Sequence, residues 1–246
     1  MWKNIGYDQC LSFINCQVRP GKAGGRRVSV GRPTVTISRL TGAGARTVAS
    51  KLADYLQLRA PGECLWTVFD RNLMERVLED HHLPKRLADF LPEAHQSMIR
   101  DALEELLGLH PSHWTVVQQT AETILRLAQM GGVILVGRGA SIITRKLDNV
   151  FHVRLVGALE TRLARVRAVH DLDHDTALAF IQKEDSGRRR YLKDHYAHDI
   201  DNPLLYHLVI NTDRIGCEEA ARLIGDEVVR RFPPERHRAP DNVGSG

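Results

Sequence analysis

Thr34-Val35-Thr36-Ile37-Ser38-Arg39-Leu40-Thr41-Gly42-Ala43-Gly44-Ala45-Arg46-Thr47 is the stretch on which the fold turns. A β-branched, apolar run leads into a turn of small residues. Beyond the turn, Val48, Leu52, Tyr55 and Leu56 repeat at i, i+4, i+7 and i+8, which lays one apolar stripe along a helix. In a strand–turn–helix context, glycines let backbone N–H groups converge on a phosphate, and the helix N-terminus adds partial positive charge. Thr41, Gly42, Ala43, Gly44, Ala45, Arg46 and Thr47 are therefore the candidate phosphate-binding residues. The turn departs from the Walker A pattern G-x-x-x-x-G-K-[ST] in two places: Arg39 stands where the first glycine belongs and Ala45 where the lysine belongs. Arg46, one position later, has a permanent charge and a rigid fork of donors with which to meet a phosphate. A plain βα connection with Arg46 as a solvated first-turn residue is the competing reading, and the turn alone does not choose between them.

Working outward, further apolar runs at Trp66–Phe69, Val133–Val136, Val150–Val156 and His207–Ile210 alternate with helical patterns, the sign of parallel strands joined by crossover helices. Val117, Ala121, Ile124 and Ala128 form one helical stripe, and Ala220, Ile224 and Val228 another. The spacing predicts an α/β domain over 34–231, with a helical insertion at about 71–130. It leaves 1–33 as an N-terminal extension and 232–246, rich in Pro and Gly, as a disordered tail. A length of 246 residues with 43% hydrophobic and 26% charged content suits one sizeable core. The formal charge of +4 is modest and its arginines are clustered, which favours an anionic ligand over a nucleic-acid track. Cys10, Cys16, Cys64 and Cys217 form no C-x-x-C pair, so reduced structural thiols are expected. No apolar leader or stretch of roughly 20 apolar residues is present, so neither secretion nor a membrane partner is signalled and a cytoplasmic location is expected.

Three further segments resemble the cytidylate kinase-like family. Val133-Ile134-Leu135-Val136-Gly137-Arg138-Gly139 is similar to the strand and G-R-D turn of cytidylate kinases. Glu160-Thr161-Arg162-Leu163-Ala164-Arg165 is similar to their E-x-R-A-x-R helix start, and Asp185-Ser186-Gly187-Arg188 to their lid segment D-S-x-R. With Phe69-Asp70-Arg71 and Ile210-Asn211-Thr212-Asp213 they run in the family's order, and the family's first turn, I-S-R-x-x-G-S-G-G-R, also lacks the lysine. The resemblance implies a three-layer P-loop nucleoside monophosphate kinase-like fold: a parallel five-stranded sheet with helices on both faces, an insertion after strand 2 and a helical lid at about 175–200. It implies ATP and Mg²⁺ as cofactors and a nucleoside triphosphate and a nucleoside monophosphate as partners, with CMP or dCMP as the nearest acceptor.

Phosphoryl transfer to a phosphate oxygen needs alignment and charge neutralisation more than a base. Arg46, Arg138, Asp185 and Arg188 are the candidate catalytic residues, and Thr47 the candidate metal-binding hydroxyl. Asp70, Arg138, Arg162, Asp185 and Arg188 are the candidate acceptor-binding residues, with Arg138 at the end of a parallel strand and Asp185 and Arg188 on one helix face, a carboxylate for ribose beside a guanidinium for phosphate. Each has a plainer reading. Asp70 also reads as a helix N-cap, Arg162 as a stem covering apolar surface, and the Asp185–Lys193 segment as a solvated basic helix. His170 to Asp175 reads as a loop between helices. A nucleotide-binding regulatory module without turnover, and a kinase of another small acceptor, stay open beside the enzyme reading.

Overall fold

The computed structural model describes residues 5–18, 32–70, 99, 101–104, 106, 115–137 and 139–233. Most of the expected insertion at about 71–130 and nearly all of the expected tail lie outside the described residues. In chain order the elements are α1 (Ile5–Val18), β1 (Thr34–Arg39), α2 (Ala45–Arg59), β2 (Thr67–Phe69), α3 (Thr115–Met130), β3 (Val133–Val136), α4 (Ala140–Ile143), β4 (Val150–Val156), α5 (Leu159–His170), α6 (His174–Tyr196), a 3₁₀ turn (Pro203–Leu205), β5 (Leu208–Asn211) and α7 (Cys217–Arg231). The five expected apolar runs form one all-parallel sheet in the order β2-β3-β1-β4-β5.

Alternation along each strand sends side chains to two cores. Val35, Ile37, Ile134, Val136, Phe151, Val153 and Leu155 face the stripes of α2 (Val48, Leu52, Leu56) and α7 (Ala220, Ile224, Val228). Val133, Leu135 and Phe69 face α3 and α4, where Ala121, Ile124 and Ala128 are buried as their periodicity requires. Each fully buried Leu or Ile contributes roughly 1.5–3 kcal/mol of transfer free energy, so these stripes hold the layers together.

The second face of the central strands is not continuously apolar. Thr36 pairs in register with His152, and Ser38 with Arg154. Thr36 Oγ1 lies 2.8 Å from His152 Nδ1, and Arg154 Nη1 donates to Ser38 Oγ at 2.9 Å. Arg154, whose side chain is 3% exposed, is neutralised by Asp201, which also accepts from Arg189 Nε at 2.8 Å. Burial pulls the Asp201 carboxyl upward, yet the hydrogen bond from Arg189 and the charges of Arg154 and Arg189 leave it below its ordinary value. This polar seam ties the end of α6 to the middle of the sheet.

The N-terminus brings one addition and one correction. Within the expected extension, α1 buries Cys10, Phe13 and Ile14 in the core, with the Phe13 and Phe69 rings edge-on at 6.0 Å. Cys16, expected as a reduced thiol, is joined to Cys64 in a disulfide with Cα atoms 5.8 Å apart, while Cys10 and Cys217 are free thiols. A separation of 48 residues conceals this pair in the sequence; only the docking of α1 beside the segment that leads into β2 brings them together. Among the described residues, no helix is long and apolar enough to cross a membrane.

Thiol titration of the unfolded, unreduced chain is expected to count two free thiols, rising to four with reductant. Closing a loop of that length contributes about 3–4 kcal/mol, so reduction lowers the unfolding midpoint. A second prediction follows from His152: burial, then the neighbouring His207, push its pKa down to about 4. The unfolded imidazole takes up a proton near pH 6.5 and the folded one does not, so stability falls between about pH 6.5 and pH 4, by on the order of 3 kcal/mol, and then levels. Urea denaturation across that range is expected to show this slope, and His152→Asn to flatten it.

Candidate functional site

At the end of β1 the chain turns through Gly42 and Gly44, with φ of 80° and 78°. A side chain is excluded at both positions: a Cβ on Gly42 would lie 2.5 Å from the backbone oxygen of Arg162, and one on Gly44 would lie 2.7 Å from Cys217 Sγ. The turn is pressed between the start of α5 and the start of α7. Gly44 is the N-cap of α2 and no side chain caps that helix. The first-turn amides, which a helix cannot satisfy itself, and the positive end of the dipole are left for an anion.

The opposite side of the turn is gripped by a buried network. Arg162 Nη1 donates to the carbonyl of Thr41 at 3.0 Å and to Asp185 Oδ2 at 2.8 Å, and its Nε donates to the carbonyl of Gly157 at 3.0 Å. Asp185 Oδ1 accepts from Thr41 N at 2.8 Å, from Thr41 Oγ1 at 2.6 Å and from Arg188 Nη1 at 3.0 Å. Arg188 also donates to Thr41 Oγ1 at 2.6 Å and to Glu184 at 3.0 Å. Arg165 spans the carbonyl of Gly42 at 3.4 Å and both the hydroxyl and the carbonyl of Thr212 at 3.0 and 2.9 Å. The structure therefore brings Thr41, Arg162, Asp185 and Arg188 together, with Arg162 and Asp185 turned inward toward the turn.

The other candidates lie elsewhere. Arg46 is 80% exposed at its side chain and makes a 3.4 Å ion pair with Asp70 at the end of β2. Thr47 is exposed on the first turn of α2, and Ala45 is buried beneath the turn. Asp213 accepts from the amide of Ala158 at the start of α5. Arg138 lies outside the described residues.

Beside the turn, a cavity of about 350 Å³ opens between the C-terminal ends of β1 and β3 and one face of α6. Helix α2 leaves β1 on one face of the sheet and α4 leaves β3 on the other, so this is the switch point at which open parallel sheets hold ligands. Arg39, Lys183, Arg188 and Arg190 line it, with Glu184 and Tyr191. Sequence reasoning gave Arg39 no role except as the residue replacing a glycine. It missed Arg154 and Asp201 entirely, although an arginine within the buried-type run Val150–Val156 was a signal that a partner had to exist.

A glycine turn opening a helix, a cleft of about 350 Å³ at the switch point and a cationic helix across it are the arrangement of a P-loop kinase-like fold. The chain belongs to the cytidylate kinase-like family, whose model matches residues 34–214. It is 24% identical over 197 residues to a cytidylate kinase of Methanocaldococcus jannaschii, covering 79% of this chain and 96% of that protein. A solved structure of an uncharacterized protein from Eubacterium ventriosum superposes with a TM-score of 0.54 at 18% identity, covering 80% of this chain and 98% of the other. The family and the fold together support a nucleotide kinase function.

Gly42→Ala is expected to destabilise the protein by about 2–4 kcal/mol, from the left-handed backbone and the contact with the Arg162 carbonyl. Urea denaturation measures the loss. Gly187→Ala on α6, where a Cβ meets nothing within 4 Å, is the control and is expected not to destabilise.

Proposed function

We propose that this protein transfers the terminal phosphoryl group of ATP to a nucleoside monophosphate, with CMP or dCMP as the acceptor. The observation that carries the reading is the cavity at the ends of β1 and β3, which sets Arg39, Lys183, Arg188 and Arg190 beside an uncapped glycine turn. A nucleoside monophosphate brings its own ionised oxygen as nucleophile. That oxygen forms the new bond to the γ-phosphorus as the bond to the β–γ bridging oxygen breaks. No strong base is needed, and the protein aligns two polyanions and spreads charge.

In this reading the amides of Gly42 and of Gly44 to Thr47 hold the donor phosphates, while that of Ala43 donates to the carbonyl of Leu40 at 3.2 Å. Arg46, exposed and paired with Asp70 at 3.4 Å, swings onto the β- and γ-phosphates in place of the absent lysine. Arg188 and Arg138 serve the acceptor phosphate and the moving group, with Arg162 and Asp185 behind Arg188 and Asp70 on the acceptor side. Among the described residues no group of three or more His, Cys, Asp or Glu side chains could hold a metal ion, and in this reading the Thr47 hydroxyl is the protein's contact to Mg²⁺. Such a set fits Mg²⁺ held chiefly by substrate phosphates and water, where the ion neutralises charge on the phosphate oxygens.

The burial of Ala45 and the pairing of Arg46 with Asp70 favour a second reading, a nucleotide-binding regulatory module without turnover. A coupled ADP-release assay over CMP, dCMP, UMP, AMP and non-nucleotide acceptors separates the readings. Turnover with CMP or dCMP is expected; tight ATP binding without turnover selects the module, and turnover confined to a non-nucleotide acceptor selects another kinase. Arg46→Ala is expected to lower kcat/KM by ~10²-fold, and unchanged kinetics would exclude Arg46 from the lysine's role.

A further inference from the structure

The contacts of Asp185 differ from those of a ribose ligand. A carboxylate has about four lone-pair sites. Here three hydrogen bonds converge on Oδ1, from the Thr41 amide at 2.8 Å, the Thr41 hydroxyl at 2.6 Å and Arg188 Nη1 at 3.0 Å, and Oδ2 accepts from Arg162 Nη1 at 2.8 Å. The side chain is 9% exposed. It does not line the cavity on whose wall Arg188, three residues later, lies. A sugar hydroxyl in that cavity meets an Oδ1 already fully engaged, and only the buried Oδ2, held by Arg162, keeps a lone pair.

We propose that Asp185 is a positioning residue that latches α6 onto the glycine turn through Thr41. This rests on the reading of the site as a phosphate-binding kinase centre, and it changes the task of one residue in it. The physical logic is a division of the turn's polar groups. Arg162 and Arg165 hold the carbonyls of Thr41 and Gly42 on the α5 side. Asp185 holds the amide of Thr41 on the same side, so the backbone enters Gly42 already oriented, and the amides that follow open α2 without a cap. A turn lacking a lysine of its own is thus shaped by a carboxylate and guanidinium groups from two other helices. Because Thr41 Oγ1 donates to Asp185 and accepts from Arg188, the same latch sets the guanidinium that faces the cavity. Turn geometry and the aim of Arg188 are therefore one coupled arrangement.

Asp185→Asn tests this. The amide keeps one acceptor for the Thr41 N–H, but its NH₂ then confronts Arg162, donor against donor, and the charge that neutralises Arg162 is lost. Thr41→Val keeps the backbone bond and removes the hydroxyl that donates to Asp185 and accepts from Arg188. Hydrogen exchange of peptides covering residues 40–47, read by mass spectrometry without ligand, is expected to quicken by about 10-fold or more in Asp185→Asn, and less in Thr41→Val, while peptides from β4 and α7 stay unchanged. Calorimetric titration with ATP and with inorganic triphosphate is expected to show Kd raised by about 10-fold in Asp185→Asn. The ratio of kcat/KM for CMP over dCMP is expected to stay as in the wild type.

Unchanged exchange across 40–47 in both variants would overturn the latch. So would a collapse of the CMP over dCMP ratio with triphosphate affinity intact, since that makes Asp185 a ribose ligand. If Asp185→Asn quickens exchange everywhere, Thr41→Val decides by the same criterion. If the wild type turns over no monophosphate, the kinase reading fails, and the exchange measurement still decides the latch.

Discussion

Beneath the glycine turn, the carboxylate of Asp185 and the guanidinium of Arg162 lie 2.8 Å apart with side chains 9% and 10% exposed, and each also binds the backbone of Thr41. Two opposite charges withdrawn from water are tolerated when each satisfies the other and the remaining donors and acceptors find partners. Here those further partners are the backbone and hydroxyl of Thr41 in the turn, together with the Gly157 carbonyl and Arg188. The charge pair and the turn therefore stand or fall together. Neither α5 nor α6 can move relative to β1 without leaving one of these groups unmatched.

The position of the cleft follows from topology in the same physical terms. β1 and β3 are neighbours whose connections leave on opposite faces of the sheet, so their C-terminal ends part and leave space. A continuous apolar sheet would give that space nothing to hold α6 in place. The seam of Thr36, His152, Ser38, Arg154 and Asp201 supplies polar anchorage on one face, while Val35, Ile37, Phe151, Val153 and Leu155 keep the other face fully apolar against α2 and α7. The two faces of β1 and β4 thus do different work: one carries the hydrophobic stability, and the other fixes the geometry of the cationic helix over the cavity.

Much of the framework was legible in the chain. Apolar runs separated by helical stripes are a local signal, and most of the residues in them are buried where the period puts them, as Val48, Leu52, Leu56 and Ile224 illustrate. The two glycines of the turn were legible too, because a small-residue turn between strand and helix has few backbone solutions. The tasks of the charged residues were not. Asp185 and Arg188 share a helix face by spacing, but spacing does not say that Thr41, 144 residues away from Asp185, occupies that face. Arg154 in the middle of a strand signalled a buried partner without naming Asp201, and the pairing of Cys16 with Cys64 had no local signal at all.

By itself, then, the sequence determined the α/β class, the strands, the helix faces and the place of the glycine turn, because these depend on periodicity and backbone preference within a few residues. Only the tertiary structure decided which charges meet. Arg46 was led out to Asp70, Arg162 and Asp185 were led in beneath the turn, and α1 was docked by a disulfide onto the segment before β2. Such pairings are settled by the energetics of burying charge and by which elements the fold brings within about 3 Å, the reach of a hydrogen bond, and no local pattern encodes either.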